Sequence, residues 1–422
     1  MIRGVTNGRS FPPGFLWATA TAAHQVEGNN TNSDWWAFEQ EPGRIAGGDR
    51  SGIADDHYNR YREDFALLRR LNNNAHRLSI EWSRIEPSEG EFDSRQVRHY
   101  RDVLGDLKEQ GMAPMVTLHH FSNPLWFAAR GGWAAPGAHE AFLPFVRKVV
   151  DELGDLVSFW CTINEPNIYA TQGWIFGAFP PGRRNDVRGL WRVLGNLRVA
   201  HEAAYRVIKK RWPDTPAGIA HNKFWLLPAR PGNPLDRVAV QTGRRMLDFW
   251  PIGGGRMQRT VATPSDYIGL NHYGGRLVQF DPLRPGEQFA RQMNPPGYPI
   301  SDFGDAIKPD WMREAIAELG GFGKPIYITE SGIAAEDDSI RQQFLRGYLG
   351  EVHQAIVGGA DVRGFFHWTS MDNFEWSHGY KMKFGLIAVD RKTLDRTPKP
   401  SAGFFSRMAK ANSPDVAYLG RD

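Results

Sequence analysis

Two short runs each set a glutamate beside a residue that turns the backbone: Thr162-Ile163-Asn164-Glu165-Pro166 and Ile328-Thr329-Glu330-Ser331-Gly332. β-Branched and apolar residues lead into each acid, so each glutamate is expected at a strand end. A pair of carboxylates is what cleavage of a glycosidic bond requires. One protonates the leaving oxygen, and the other attacks or stabilises the positive anomeric carbon. One such glutamate alone would read as a surface residue closing a strand. Two in the same register, within a ring of other polar strand ends, favour the chemical reading.

Positioning such a pair takes a scaffold. Strands are expected over 15–20, 75–82, 113–120, 159–164, 217–222, 267–273, 326–330 and 364–369, mostly bounded by Pro, Gly or Asn. Amphipathic helical patterns lie between them, over 57–72, 97–110, 139–153, 190–210, 311–319 and 340–357. Eight strand–helix units predict a (β/α)₈ barrel, an α/β fold of one domain over residues 1–422, with its site at the C-terminal strand ends. A doubly wound sheet would want a Gly-rich turn after the first strand, and Thr19 to Gly28 is not one. The strand ends supply His24, Gln25 and Glu27, then Arg77 and Glu81, His119 and His120, Asn164 and Glu165, Asn271, His272 and Tyr273, Glu330, and Trp368 followed by Glu375 and Trp376. The inferred fourth and seventh strands would face each other across the barrel. The stretch 279–308 has five prolines and no periodicity, as a long binding loop would.

Composition narrows the partners. With 51 Lys plus Arg against 47 Asp plus Glu, the excess of +4 is too small to argue for nucleic acid. No run approaches the roughly 18 apolar residues of a membrane span. The single cysteine, Cys161, excludes an intrachain disulfide, and the N-terminal stretch shows no secretory pattern, so a cytoplasmic protein is expected. Fifteen Trp exceed the 12 Tyr, and flat aromatic faces can line sugar sites or fill cores.

The chain resembles glycoside hydrolase family 1, the β-glucosidase family, from about Phe11 to Lys410. The resemblance rests on Phe15-Leu16-Trp17-Ala18-Thr19-Ala20 with Gln25 and Glu27-Gly28, on Arg77 with Trp82-Ser83-Arg84-Ile85, and on Thr117-Leu118-His119-His120. It continues through the two glutamate runs, Asn271-His272-Tyr273, Met371-Asp372-Asn373-Phe374-Glu375-Trp376 and Phe384-Gly385-Leu386. The resemblance implies a retaining β-glycosidase that hydrolyses terminal β-D-glycosyl residues of small β-glycosides by double displacement. Glu330 would be the nucleophile and Glu165 the acid/base. Asn164 would bond the sugar 2-hydroxyl, and Gln25, His120, Asn271, Glu375 and Trp376 would hold the substrate. Trp368 would floor the ring, and Arg77 and Tyr273 would contact Glu330. Arg77 should lower the Glu330 pKa, and ionised Glu330 should raise that of Glu165. No metal or cofactor is implied. The same residues could pass the sugar to an alcohol, and the same hydroxyl-binding set serves gluco-, galacto- and fucosides. A sugar-binding barrel without strong catalysis is the alternative, and it predicts a lost carboxylate.

Departures from the family pattern are Phe121 for a Trp, Ser331 for an Asn, Lys383 for an Arg, Asp305 for a Trp, and a short stretch between Trp250 and Asp266. A shortened rim would open the aglycone side while the sugar pocket stays narrow. An intact Glu375-Trp376 pair disfavours a phosphorylated sugar. Bland readings hold elsewhere. His119 and His120 point to opposite faces of a strand and cannot share a metal. Gly253-Gly254-Gly255 is expected as a plain loop, Lys209-Lys210-Arg211 as a solvated helix end, Asn29-Asn30-Thr31 as a silent glycosylation pattern, and Cys161 as a buried thiol. Trp126 and Trp133 are weaker aglycone candidates.

Overall fold

Parallel strands covered on both faces must be apolar almost throughout, and the eight strands observed here are buried along nearly their whole length. They are Leu16–Ala20, Ala75–Ser79, Ala113–His119, Phe159–Asn164, Ala217–Asn222, Tyr267–Asn271, Ile326–Ser331 and Val362–Trp368. Each pairs in parallel with its chain neighbour, and the first pairs with the eighth to close the barrel. The fourth and seventh are three steps apart around the ring, with the fifth and sixth between them, rather than opposite as the sequence suggested. This computed structural model describes residues 10–247, 264–284 and 289–414.

The helices follow their sequence signals. Ser94–Glu109 starts where the Asp93 carboxylate accepts from the Arg95 N–H at 2.8 Å. Its buried stripe, Val97, Tyr100, Val103, Leu104 and Leu107, has the 3–4 spacing of one helical face. Val187–Arg211 is capped by Asp186 and ends on Lys209, Lys210 and Arg211, where cations suit the helix dipole. Helices His57–Arg70, Ala138–Leu153, Asp310–Gly320 and Asp338–Val357 complete the outer layer. Among the described residues no helix is long and apolar enough to cross a membrane.

The stretch expected as an unpatterned loop contains structure. Gly275–Phe280 pairs antiparallel with Ala290–Met293 and parallel with Trp225–Pro228, forming a small sheet at the barrel mouth. Leu226, Val278, Ala239 and Val240 pack it onto helix Pro234–Leu247. Gly253-Gly254-Gly255 and most of the Trp250–Asp266 stretch lie outside the described residues.

Candidate active site

The backbone at each acidic strand end is irregular. Pairing of the fourth strand with the fifth shifts register between Cys161 and Asn164, and pairing of the seventh with the sixth shifts between Ile328 and Glu330. Such irregularities re-aim side chains at strand ends. Glu165 then takes a left-handed conformation, φ 41°, immediately before Pro166 opens helix Pro166–Trp174. The proline disfavours right-handed helical geometry in the residue before it. Phe121, at φ 70°, and Trp376, at φ 50°, are likewise left-handed. Three such non-glycine residues on one cavity wall are a local cost of order 1–3 kcal/mol each, held by the surrounding fold.

The cavity has a volume of about 750 Å³. His120, Glu165, Tyr273, Glu330, Trp368, Glu375 and Trp376 all line it. Behind them, fully buried, stand Arg77, Gln25, Asn164 and Asn271. Tyr273 donates its hydroxyl to Glu330 Oε2 at 2.8 Å, and Arg77 Nη1 pairs with Glu330 Oε1. Arg77 Nη2 donates to Asn164 Oδ1 at 2.6 Å, and its Nε donates to Thr117 Oγ1 at 3.0 Å. Asn271 Nδ2 lies 2.8 Å from Glu165 Oε1 and 3.1 Å from Asn164 Oδ1, and donates to both. The Asn164 amide donates to His120 Nε2 at 3.1 Å. Gln25 Nε2 donates to Glu375 Oε2 at 3.2 Å and to the Phe374 carbonyl at 2.9 Å.

Asn164, Asn271 and Gln25 therefore brace cavity-wall side chains. Gln25 Oε1 alone among these amide oxygens has no protein partner among the described residues. Sequence reasoning missed Asn222, which ends the fifth strand and donates to Glu165 Oε1 at 2.9 Å. An asparagine closing a strand reads as a boundary, and only the neighbouring glutamate would have marked it.

The expectations for Trp126, Trp133 and Glu27 need correction. Trp133 is fully buried and donates to Asn123 Oδ1, and Trp126 donates to the Glu86 carbonyl, so neither lines the cavity. Glu27 points away from it, accepting from Tyr100 at 2.9 Å and from Arg84 at 2.8 Å. Cys161 is buried against Arg77. Asp305 lines the cavity as the ion-pair partner of Arg276. Among the described residues no cluster of three His, Cys, Asp or Glu side chains could hold a metal.

Burial sets the protonation. It pushes the Glu165 carboxyl up to about 8, with the charge of Glu330 adding to the rise and the amides of Asn222 and Asn271 opposing it. The charge of Glu330 thus acts as the resemblance implies, but as the smaller of the two raising causes. Burial also raises Glu330 from its ordinary value, opposed by Arg77 and by the Tyr273 hydroxyl, so Arg77 offsets the shift without reversing it. Glu375 is pushed up to about 8 by burial. His120 is held well below its ordinary value by burial and by Arg77, which keeps it neutral.

The profile of Glycosyl hydrolase family 1 matches residues 7–252 and 255–414. The chain belongs to that family and is a glycoside hydrolase. It is 31% identical to Beta-glucosidase A of Thermotoga maritima, an alignment covering 96% of this chain and 99% of the relative. Its structure superposes on the beta-glycosidase from Pyrococcus horikoshii with TM-score 0.88 at 34% identity, covering 97% of each chain. It also superposes on the beta-glucosidase from Thermotoga maritima in complex with castanospermine, with TM-score 0.90 at 30% identity over 96% of this chain and 99% of that one.

Proposed function

We propose that this glycoside hydrolase is a retaining β-glycosidase acting on small β-D-glycosides, β-glucosides foremost, with Glu330 as nucleophile and Glu165 as acid/base. The observation that carries the reading is the unequal compensation of two buried carboxyls. Glu330 faces a guanidinium and a hydroxyl, whereas Glu165 meets only neutral amides. The negative charge thus belongs on Glu330 and the proton on Glu165.

A Glu330 oxygen attacks the anomeric carbon as the bond to the aglycone oxygen breaks, and Glu165 gives that oxygen its proton. The product is a covalent ester of the sugar on Glu330. Forming it removes the charge that helped raise Glu165, so Glu165, now ionised, can take a proton from an incoming water. The water oxygen bonds to the anomeric carbon, and Glu330 leaves as a carboxylate. An alcohol in place of water gives transglycosylation by the same steps. Support comes from relatives named as β-glucosidases that align over nearly the whole chain. The reading takes residues 1–422 as one catalytic domain, and the lone buried thiol of Cys161 accords with a cytoplasmic setting.

The test is Glu330→Ala. Turnover of nitrophenyl β-glucoside should fall by several powers of ten. Azide should restore part of it and give the α-glycosyl azide, because azide enters from the face that Glu330 vacates. Wild-type turnover in this variant would overturn the assignment. The weakly catalytic sugar-binding alternative expects a missing carboxylate, and both are in place.

A further inference from the structure

The wall segment carrying Glu375 and Trp376 is gripped from behind by groups that the mechanism does not use. Its outer end is fixed by Tyr380, whose N–H donates to Asp49 Oδ2 at 2.9 Å and whose hydroxyl donates to the Ser51 carbonyl at 2.7 Å. Ser51 in turn donates its hydroxyl to Glu39 Oε1 at 2.7 Å and its N–H to Glu39 Oε2 at 3.2 Å. Glu39 Oε2 lies 3.6 Å from His24 Nε2, and both side chains are fully shielded from solvent. That separation is too long for a hydrogen bond, and the two side chains stand face to face in van der Waals reach.

The His24 ring lies nearly parallel to the Trp376 indole, at 8° and 5.8 Å between centroids, in the offset-stacked range. Its orientation is set on both sides. The Asn30 amide donates to Nδ1 at 3.2 Å, which places the proton of the neutral ring on Nε2, toward Glu39. The next residue, Gln25, reaches Glu375 itself. A buried histidine–carboxylate pair thus connects the Trp376 face to the backbone clamp at Tyr380.

We infer that His24, oriented by Glu39 and Asn30, is a positioning residue for the Glu375–Trp376 wall and so sets how strictly the enzyme selects its sugar. The inference rests on the reading above, in which that wall seats the sugar. A helper that only stabilises the fold would scale every substrate alike. A residue that aims Glu375 and Trp376 must change the value of particular hydroxyls.

The experiment uses nitrophenyl β-glucoside and its monodeoxy analogues, with active sites titrated by the burst from a dinitrophenyl 2-fluoroglucoside. Glu375→Gln first identifies the hydroxyls that Glu375 serves, as those whose removal no longer matters in the variant. His24→Ala should then reduce the kcat/KM advantage conferred by those same hydroxyls by about fivefold or more, and leave the others unchanged. Glu39→Gln and the volume-conserving His24→Phe should move the same ratios in the same direction, and they serve if His24→Ala does not fold. Ratios unchanged in all folded variants would overturn the inference and leave the proposed function intact. If Glu375→Gln altered no hydroxyl's contribution, the sugar seat itself would fail, and the inference with it.

Discussion

Arg77 holds Glu330 through Nη1 and Asn164 through Nη2, so one buried guanidinium ties together the two strand ends that carry the acidic residues. Replacing it with Gln leaves Glu330 a buried carboxylate without its counter-charge, met by the Tyr273 hydroxyl. Breaking a buried ion pair in this way costs about 3–5 kcal/mol. The charged form of Glu330 is also disfavoured, so its pKa must rise further. The expected outcome is an acid limb of kcat/KM that moves to higher pH in Arg77→Gln, together with a lower Tm. An unmoved acid limb would show that Arg77 does not hold Glu330 ionised.

With Glu165 as the proposed acid, its value of about 8 should fix the other limb. Activity on substrates with poor leaving groups needs this proton, so kcat/KM should fall as pH rises through about 8. In Glu165→Gln that limb should vanish. Glycosylation by dinitrophenyl glycosides, which need no protonation, should suffer far less than hydrolysis of alkyl glycosides. Pre-steady-state bursts separate the two steps, and equal damage to both substrate types would count against Glu165 as the acid.

What the sequence disclosed follows from the physics of each element. All eight barrel strands were legible because short runs rich in apolar and β-branched residues, mostly bounded by Pro, Gly or Asn, alternate with helical patterns along the chain. The mouth sheet was not. Ala290-Arg291-Gln292-Met293 has no apolar alternation, and its pairing with Gly275–Phe280 is a tertiary fact. Arg77 and Tyr273 reach Glu330 as the family resemblance implied, and Arg77 does lower its pKa, yet burial outweighs both, and burial is not written in a motif. Trp133 was misassigned for the same reason. An indole that completes a core and one that faces a ligand look alike in a string of letters.

The raised carboxyls predict a stability that depends on pH. Glu375 has an ordinary value of 4.5 and sits at about 8 in the fold. The folded protein therefore holds a proton that the unfolded chain releases between those values. Its contribution is fully present below about 4.5 and is lost as pH rises through about 8. Glu375→Gln mimics the protonated form, so the loss of Tm between pH 5 and pH 9 should be smaller in the variant. Glu165, also at about 8, keeps a residual slope of the same sign. Thermal scans at the two pH values decide it, and an identical slope would contradict the assignment.

The aglycone side should tolerate apolar bulk. Ile168, Ile175, Phe176, Phe179, Leu226 and Val278 line the same cavity as the carboxylates. Each methylene added to an alkyl aglycone can gain up to about 0.8 kcal/mol if that wall buries it. For one sugar, kcat/KM should hold or rise along a series of growing alkyl glycosides. A steep fall would mean that this wall closes against the aglycone, and it would leave the roles proposed for Glu165 and Glu330 untouched.

Asn222 gives the most specific check on the acid. Its amide donates to Glu165 Oε1, and hydrogen bonds of that kind stabilise the charged carboxylate and lower its pKa. Asn222→Ala removes one of the two amide donors and leaves Asn271 in place. Glu165 should then titrate higher, so the basic limb of kcat/KM moves above about 8. Rates at the optimum should fall less for glycosylation than for deglycosylation. In the second step Glu165 must exist as the anion, and it has lost a partner there. The pH profile of kcat/KM read beside the deglycosylation rate from burst kinetics measures both effects. A basic limb that stayed in place, with both steps slowed equally, would reduce Asn222 to packing and leave Asn271 as the sole amide tuning the acid.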